Sequence, residues 1–288
     1  MSEAAMRPEI VRPTRADQDF GVVEKQLTPF ERLYNLAWLR KSALLVVLAL
    51  AWELYARQLD NPLLVPTFGD TVSAWWGAVA SGVLPARAWV SLQVLAIGFV
   101  AGVLLAGALT VLAITTRIGT DFLETMTAMF NPLPAIALLP LALIWFGLGI
   151  GSVVFVLIHS VLWAVALNTH AGFRGVSQTL RMVGRNYGLS GLRLVIRILI
   201  PAAFPSILAG LKIGWAFAWR TLIAAELVFG VSSGKGGLGW YIFEAKNQLE
   251  IPDVFAGLLT IILIGLVVEN VVFRTIEART IRRWGMQQ

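Results

Sequence analysis

The sequence of 288 residues has no cysteine and only two histidines, His159 and His170. The lack of cysteine excludes a disulfide framework and any thiolate metal site or nucleophile. Charged residues are also scarce, at 14%, whereas a soluble domain carries about 25%. Hydrophobic residues make up 57% of the chain, with a mean hydropathy of +0.75, which is more than one soluble core can bury. We therefore expect the chain to lie in a lipid bilayer.

Six apolar runs follow a polar N-terminal tail. Each is long enough as a helix to cross a hydrocarbon layer of roughly 30 Å at about 1.5 Å per residue. The predicted spans are about 42–57, 89–116, 123–147, 150–170, 203–228 and 254–275. The sequence thus predicts an all-α polytopic membrane protein with six transmembrane helices. Its regions are an N-terminal tail (1–41), a membrane domain (42–275) and a C-terminal tail (276–288).

The basic residues are distributed unevenly over the two sides that six spans would create. If both termini are cytoplasmic, 17 of the 23 lysines and arginines lie on the cytoplasmic side and four on the opposite side. Cytoplasmic loops of membrane proteins carry an excess of these residues, so the count predicts cytoplasmic N- and C-termini. The net charge of +6 then reflects topology, and we expect no nucleic-acid partner.

Two glycine-containing stretches resemble catalytic or nucleotide-binding motifs. Residues 230–234 match the G-x-S-x-G pattern of serine hydrolases, but that chemistry needs a strand–turn–helix setting and a nearby histidine, so a flexible loop is the favoured interpretation. Residues 234–237 contain Gly-Lys, but they lack the earlier glycine and the following Ser or Thr of a phosphate-binding loop. If ATP drives this protein, we expect a partner chain to hydrolyse it.

Ionisable residues within the predicted spans are candidates for structure or for transport. Such residues usually pair or face a cavity, because exposing them to lipid is costly. Lys212, Arg220 and Glu226 lie in the fifth span, and Glu124 and Glu269 lie in the third and sixth. Structural pairing is the first expectation for each. An anion pathway is the alternative for Arg220, and Glu226 is a second pathway candidate.

Three further residues complete the candidate pathway. Asn131 and Pro134 belong to an N-P-L-P stretch that interrupts the third span, and the backbone groups freed by such a break must be satisfied by protein or a wet cavity. Trp219 could line the same route, with aromatic packing as the alternative. His159 is expected to pack within its helix, hydrogen-bonded to a neighbour.

Small residues recur at helical spacing in two spans. They are Gly98, Gly102 and Ala106 in the second span and Gly210, Gly214 and Ala218 in the fifth. Such faces allow helix backbones to approach closely. Packing within the chain is the first expectation, and a subunit interface or a moving seam is the alternative.

The predicted cytoplasmic loop 171–202 contains five arginines and no acidic residue. Read as a helix, it places Leu192, Val195, Ile196 and Leu199 on one apolar face and Arg193 and Arg197 on another. A basic loop could serve topology alone, but an apolar helical face in a loop suggests docking against another protein or the membrane surface.

This loop resembles that of the inner-membrane permease subunits of bacterial ABC importers. The family loop carries E-A-A, three residues, glycine, nine residues and then I-x-L-P. Here Gly188 is followed by nine residues and by 198–201, which read I-L-I-P, so glycine, isoleucine and proline are in register. Met182–Gly184 departs from E-A-A, which removes one expected polar contact. Residues 131–149 and 206–227 are similar to the nitrate, sulfonate and taurine branch.

The resemblance implies a type I ABC importer permease in the bacterial inner membrane. It would pair with a second copy of itself, two ABC ATPase subunits and a periplasmic solute-binding protein that delivers a small anionic solute such as a sulfonate, nitrate or bicarbonate. ATP and Mg²⁺ would bind the ATPase, so no cofactor or metal is expected on this chain. The chain itself would contact solute, lipid and protein partners. A coupling helix of about Arg181 to Arg197, centred on Gly188, would contact the ATPase. The implied coupling residues are Arg181, Arg185, Gly188, Arg193, Arg197, Ile198 and Pro201.

Two other classes of protein remain as alternatives. An ion-coupled secondary transporter would work without an ATPase and would need an essential carboxylate in the membrane. A membrane-embedded enzyme would need a catalytic constellation, and the sequence offers none.

Overall fold

A computed structural model describes residue 31 and residues 34–229 and 236–283. The chain divides into two units, 1–51 and 52–288, with the division inside the first helix. The helices are α1 (Ala37–Leu59), α2 (Phe68–Ala80), α3 (Val83–Thr115), α4 (Arg117–Phe130), α5 (Leu139–Phe146), α6 (Ile150–Gly175), α7 (Gln178–Asn186), α8 (Gly191–Leu194), α9 (Ile200–Phe229), α10 (Leu238–Asn247), α11 (Ile251–Val267) and α12 (Arg274–Glu277). Short π-helical turns at Val195–Leu199, Val268–Phe273 and Ala278–Arg282 continue α8, α11 and α12. The described residues are helical wherever they are regular, as the sequence predicts.

Four helical stretches are long and apolar enough to cross a membrane. They are Val83–Thr115, Ile150–Gly175, Gly191–Val228 and Ile251–Arg282, and they contain most of the second, fourth, fifth and sixth predicted spans. The pair α4 and α5, which covers the third predicted span, adds a fifth crossing if its two halves are taken together. The first predicted span, 42–57, lies in α1, which is not among these stretches. Six crossings therefore stay a prediction.

The third predicted span is broken, as its prolines indicate. Helix α4 ends at Phe130, a single 3₁₀ turn covers Ala135–Leu138, and α5 leaves at 90° to α4. Pro132 and Pro134 cannot donate a backbone hydrogen bond, so the α-helical ladder cannot continue through them. Pro140 sits in the first turn of α5, where a missing N–H costs nothing.

Helix α6 lies at the centre of the packing, between the two small-residue faces. A Cβ added to Gly98 of α3 would lie 2.5 Å from Cβ of Leu157, and one added to Gly210 of α9 would lie 2.8 Å from Cβ of Asn168. A Cβ at Gly102 would lie 2.7 Å from Cβ of Val161, and one at Gly214 would lie 3.1 Å from Cγ2 of Val165. The glycines therefore let α3 and α9 pack closely on α6, which confirms the expectation of packing within the chain.

The predicted loop 171–202 is shorter than expected and is not one helix. Helix α6 continues to Gly175 and the next long helix begins at Gly191, so the connection is only 176–190, with α7 inside it. At the end of α7 the N–H of Gly188 donates to Arg185 and that of Leu189 donates to Gly184, at 2.8 and 3.0 Å. This is a Schellman motif with Gly188 in the left-handed region at φ +74°. A single coupling helix from Arg181 to Arg197 is therefore wrong.

The predicted apolar face of this segment is also divided. Val195 and Leu199 are buried against Phe173 and Ala203, whereas Leu192 and Ile196 are exposed. The π-helical turn at Val195–Leu199 widens the helix there. One edge of the face thus joins the core, and only the other edge is free to meet a partner.

Candidate functional site

The break between α4 and α5 opens a cavity of about 370 Å³ against α6 and α9. It is lined by Phe130, Asn131, Pro132, Leu133, Pro134, Ala135, Ile136, His159, Ser160, Trp163, Phe217, Arg220, Thr221 and Ala224. Of the five predicted pathway residues, Asn131, Pro134 and Arg220 are brought together here. A cavity between helices at a helix break is where a polar group can be held at membrane depth.

One wall of the cavity is aromatic. The rings of Phe130 and Trp163 stack with their centroids 5.4 Å apart and their planes at 11°. His159 lies one turn before Trp163 on the same face of α6 and meets both rings edge-on, at 6.1 Å from Phe130 and 6.2 Å from Trp163. This wall can take up the apolar body of a solute.

His159 is packed, but its predicted hydrogen bond to a neighbour is wrong. Both of its ring nitrogens are buried and have no hydrogen-bond partner among the described residues, and the same holds for Nε1 of Trp163. A buried polar atom without a partner costs free energy. The sequence alone did not indicate that His159 would be surrounded by aromatic rings, because Phe130 of α4 lies 29 positions away.

The cavity lining also carries polar groups. Nε of Arg220 donates to the carbonyl of Ala216 at 3.0 Å, and its guanidinium lies 5.2 Å from the centroid of Phe217. Arg220 forms no ion pair within the described part of the chain, so its charge is offset only by neutral groups. The hydroxyls of Ser160 and Thr221 are 3.0 Å apart beside it. A cation and several hydrogen-bonding groups suit an anionic solute.

The other two pathway candidates lie outside the cavity lining. Trp219 is buried and stacks on Trp215, with centroids 6.3 Å apart and planes at 5°. Glu226 is 4% exposed. Its carboxylate accepts hydrogen bonds from Ser91 at 2.8 Å and from the N–H of Gly239 at 2.8 Å. Their surroundings favour packing and helix anchoring, the alternatives to a pathway role.

Most other charges of the predicted spans are paired. Nζ of Lys212 lies 3.5 Å from Glu269 and 3.2 Å from Glu277, which ties α9 to the C-terminal helices. Glu124 lies 2.8 Å from Arg174. Structural pairing is therefore confirmed for these residues and not for Arg220. Within the described ranges, no group of three His, Asp or Glu side chains is placed to hold a metal ion.

The predicted coupling residues lie around the α7–α8 connection. Arg185, Gly188, Arg193 and Arg197 are exposed, and Arg181, Ile198 and Pro201 are half-buried. Arg181 is held in place because its guanidinium donates to the carbonyls of Val176 and Phe173. The exposed arginines can meet an acidic partner surface, whereas Arg181 also fixes the start of α7.

Gly184 is a structural residue of this segment that sequence reasoning missed. A Cβ at Gly184 would lie 2.7 Å from Cδ1 of Leu194 and 3.0 Å from Cγ1 of Ile198. Gly184 occupies the position of the second alanine of E-A-A. A small residue is needed there because α7 packs closely against the following helix. The G-x-S-x-G stretch at 230–234 lies outside the described residues.

The chain matches known proteins over most of its length. Residues 98–282 match the family described as binding-protein-dependent transport system inner membrane component. A putative aliphatic sulfonates transport permease protein of Escherichia coli is 31% identical over 70% of this chain and 75% of its own. A taurine transport system permease protein of the same species is 30% identical over 78% and 82%. A nitrate import permease protein of Synechocystis is 27% identical over 85% and 90%.

Proposed function

Since this chain belongs to the binding-protein-dependent transport system inner membrane component family, we propose that it is the permease subunit of an ATP-driven importer for a small organic anion. It would cross the bacterial inner membrane six times, with both termini cytoplasmic, as a homodimer. ATP hydrolysis would take place on separate ABC ATPase subunits. A periplasmic binding protein would deliver the solute.

One observation carries the proposal. A single helical stretch, Gly191–Val228, begins at the exposed arginines and contains Arg220 at the cavity. A displacement at the start of this helix therefore reaches the cavity wall without crossing a loop. This is the connection that an importer needs between an ATPase at one membrane face and a solute route in the membrane.

The surface proposed to meet the ATPase combines charge with apolar contact. Arg185, Arg193 and Arg197 are exposed, as are Leu192 and Ile196. Arginine is enriched in protein–protein interfaces, and the fully buried centre of an interface is more apolar than the rest of the protein surface. The partner would present acidic groups around an apolar groove.

The cavity supports the nature of the solute. Arg220 and the hydroxyls of Ser160 and Thr221 suit an anionic head, and the wall of Phe130 and Trp163 suits an apolar body. Two relatives are named for aliphatic sulfonates and taurine, and one for nitrate. A cavity with an aromatic wall fits an organic sulfonate better than bare nitrate or bicarbonate.

The proposal is tested by reconstituting the chain in vesicles with its ATPase and binding protein. We expect uptake of an alkanesulfonate only when ATP, ATPase and binding protein are all present. The binding protein is screened separately against sulfonates, nitrate and bicarbonate to identify the solute. Uptake by the chain alone under an ion gradient would contradict the proposal and favour a secondary transporter.

A further inference from the structure

A second cavity, distinct from the one described above, lies where α3, α4, α6 and α7 meet at the arginine-rich end of the helices. Its volume is about 290 Å³, and it is lined by Ala113, Ile114, Thr115, Thr116, Arg117, Thr120, His170, Arg174 and Arg181. Three arginines and a histidine thus converge on one small space. No residue of this cavity except Arg181 belongs to the proposed coupling set.

The positive charge of the cavity is only partly offset. Arg174 pairs with Glu124 at 2.8 Å. Arg181 is held by the carbonyls of Val176 and Phe173, which position its guanidinium and leave its charge in place. Arg117 is exposed and forms no ion pair with any described residue. Arg117 therefore keeps its whole guanidinium for an anion, and guanidinium groups recognise phosphate in a bidentate manner. Arg181 adds its charge and the Nη1 donors that its two backbone contacts leave open.

His170 adds a hydrogen-bonding group to the cavity. Its side chain is more than nine-tenths buried, at 7% exposed, yet it makes no hydrogen bond to any described residue. Its ring nitrogens are not fully buried, so they reach accessible space. His170 lines this cavity one turn before Arg174, and it also lines the neighbouring cavity beside Glu124. An acceptor inside the arginine-lined cavity would receive a hydrogen bond from its ring N–H. The hydroxyl of Thr116 is already used, because it donates to the carbonyl of Leu112 at 3.0 Å and accepts from the N–H of Gly119 at 2.9 Å.

The surroundings favour an amphiphile over a free ion. Large apolar side chains within one turn of the cavity are exposed, namely Leu112 at 48%, Ile118 at 83% and Phe122 at 47%. The cavity lies at the end of α3, where its apolar span stops at Thr115. A ligand with a charged head and hydrocarbon tails would place its head among the arginines and its tails along these apolar side chains.

We propose that this cavity binds the phosphate headgroup of an anionic membrane lipid. Its position at the cytoplasmic boundary rests on the proposed orientation of the permease. The headgroup phosphate would accept hydrogen bonds from Arg117, Arg181 and His170. A lipid held there would stiffen the connection between α6 and α7, next to the proposed ATPase contact.

The test is native mass spectrometry of the purified transporter complex in neutral detergent with dioctanoyl phosphatidylglycerol. We expect one phosphatidylglycerol retained per permease copy, and far less phosphatidylcholine at the same concentration. Arg117→Gln should weaken phosphatidylglycerol binding roughly tenfold, the loss of one charged hydrogen bond. Arg117→Lys keeps the charge but lacks the paired donors of the guanidinium, so it should lose less affinity for phosphatidylglycerol than Arg117→Gln. The matched control is Arg279→Gln, because Arg279 is exposed and lies outside the cavity lining.

Three results would overturn the assignment. Equal retention of phosphatidylcholine would show that headgroup charge is not recognised, and equal losses in Arg117→Gln and Arg279→Gln would show general surface attraction. Displacement by an equal concentration of inorganic phosphate, with the same dependence on Arg117, would assign the cavity to a soluble anion. The measurement reports binding and not uptake, so failure of the proposed transport function would leave its expected result unchanged.

Discussion

The hydroxyl of Ser91 on α3 lies 2.8 and 2.9 Å from the two carboxylate oxygens of Glu226 on α9. The same two side chains also hold the start of α10. The N–H of Leu238 donates to Ser91 at 2.9 Å, and the N–H of Gly239 donates to Glu226 at 2.8 Å. First-turn N–H groups have no partner within their own helix, and a carboxylate is favoured at a helix N-terminus. Two buried side chains from separate long helices thus cap a third.

Removing the carboxylate should destabilise this junction. Glu226→Gln keeps the shape but brings an amide N–H₂ towards groups that donate, so we expect a loss of roughly 1–3 kcal/mol in the free energy of unfolding. Unfolding of the purified complex in detergent measures it. Glu269→Gln is the control, because Glu269 is 57% exposed and its contact with Lys212 should contribute less than about 1 kcal/mol. Equal stability of Glu226→Gln and the parent chain would contradict the capping role.

The same junction predicts a steric effect at Gly237. A Cβ there would lie 2.1 Å from Oε1 of Glu226 and 2.2 Å from Oγ of Ser91. Gly237→Ala should therefore separate the two side chains and lower the unfolding temperature. Gly265→Ala is the control, because nothing lies within 4 Å of a Cβ at that position, and it should be neutral or slightly stabilising. A similar unfolding temperature for both variants would contradict the predicted steric effect, because it would show that Ser91 and Glu226 can move apart at little cost.

The backbone conformation of Gly188 should make its valine and asparagine variants behave differently. Nothing lies within 4 Å of a Cβ at Gly188, but its φ is +74°. Gly188→Val should cost about 1–2 kcal/mol locally, because β-branched residues avoid this region, whereas Asn tolerates it. We expect Gly188→Val to lower ATP-dependent uptake and Gly188→Asn to retain most of it. Undiminished uptake in Gly188→Val would contradict the proposed coupling role of this turn.

Arg220 predicts an effect on solute affinity. Arg220→Gln removes the unpaired cation of the cavity, so we expect the KM for the sulfonate to rise roughly tenfold in reconstituted vesicles. Arg220→Lys should show a smaller rise because it keeps the charge. Lys246→Gln, an exposed cation on α10, controls for a general loss of positive charge. An unchanged KM in Arg220→Gln would remove Arg220 from the solute route.

His159 predicts a gain in stability. Both ring nitrogens are buried without a partner, so His159→Phe removes two unsatisfied polar atoms and keeps the ring contacts. We expect stabilisation of about 1 kcal/mol. The control is the adjacent Ser160→Ala, which loses the contact with Thr221 and should be destabilising. A large loss of stability in His159→Phe would show that its nitrogens are hydrogen-bonded in the assembled protein.

The features predicted correctly from the sequence are those that a short local pattern indicates. The prolines at 132 and 134 indicated the broken span, and the glycines of the second and fifth spans indicated close packing. The division of the arginine-rich segment was missed, because the family spacing placed Gly188 at the centre of one helix, whereas this glycine ends α7 in a Schellman turn. The capping by Glu226 was also missed, since its partner Ser91 is 135 positions away. Such contacts follow from tertiary packing, which one sequence does not reveal.

The helical stretch Gly191–Val228 contains 38 residues, which corresponds to about 57 Å at about 1.5 Å per residue. A hydrocarbon core of roughly 30 Å leaves nearly half of that length outside the lipid. Because the stretch is so long, tilting it by about 10° would move one end sideways by roughly 10 Å relative to the other. The π-helical turn at Val195–Leu199 and Pro205 both lie near one end, where bends are expected. In the proposed coupling, these bends would lie close to the end of the stretch that meets the ATPase.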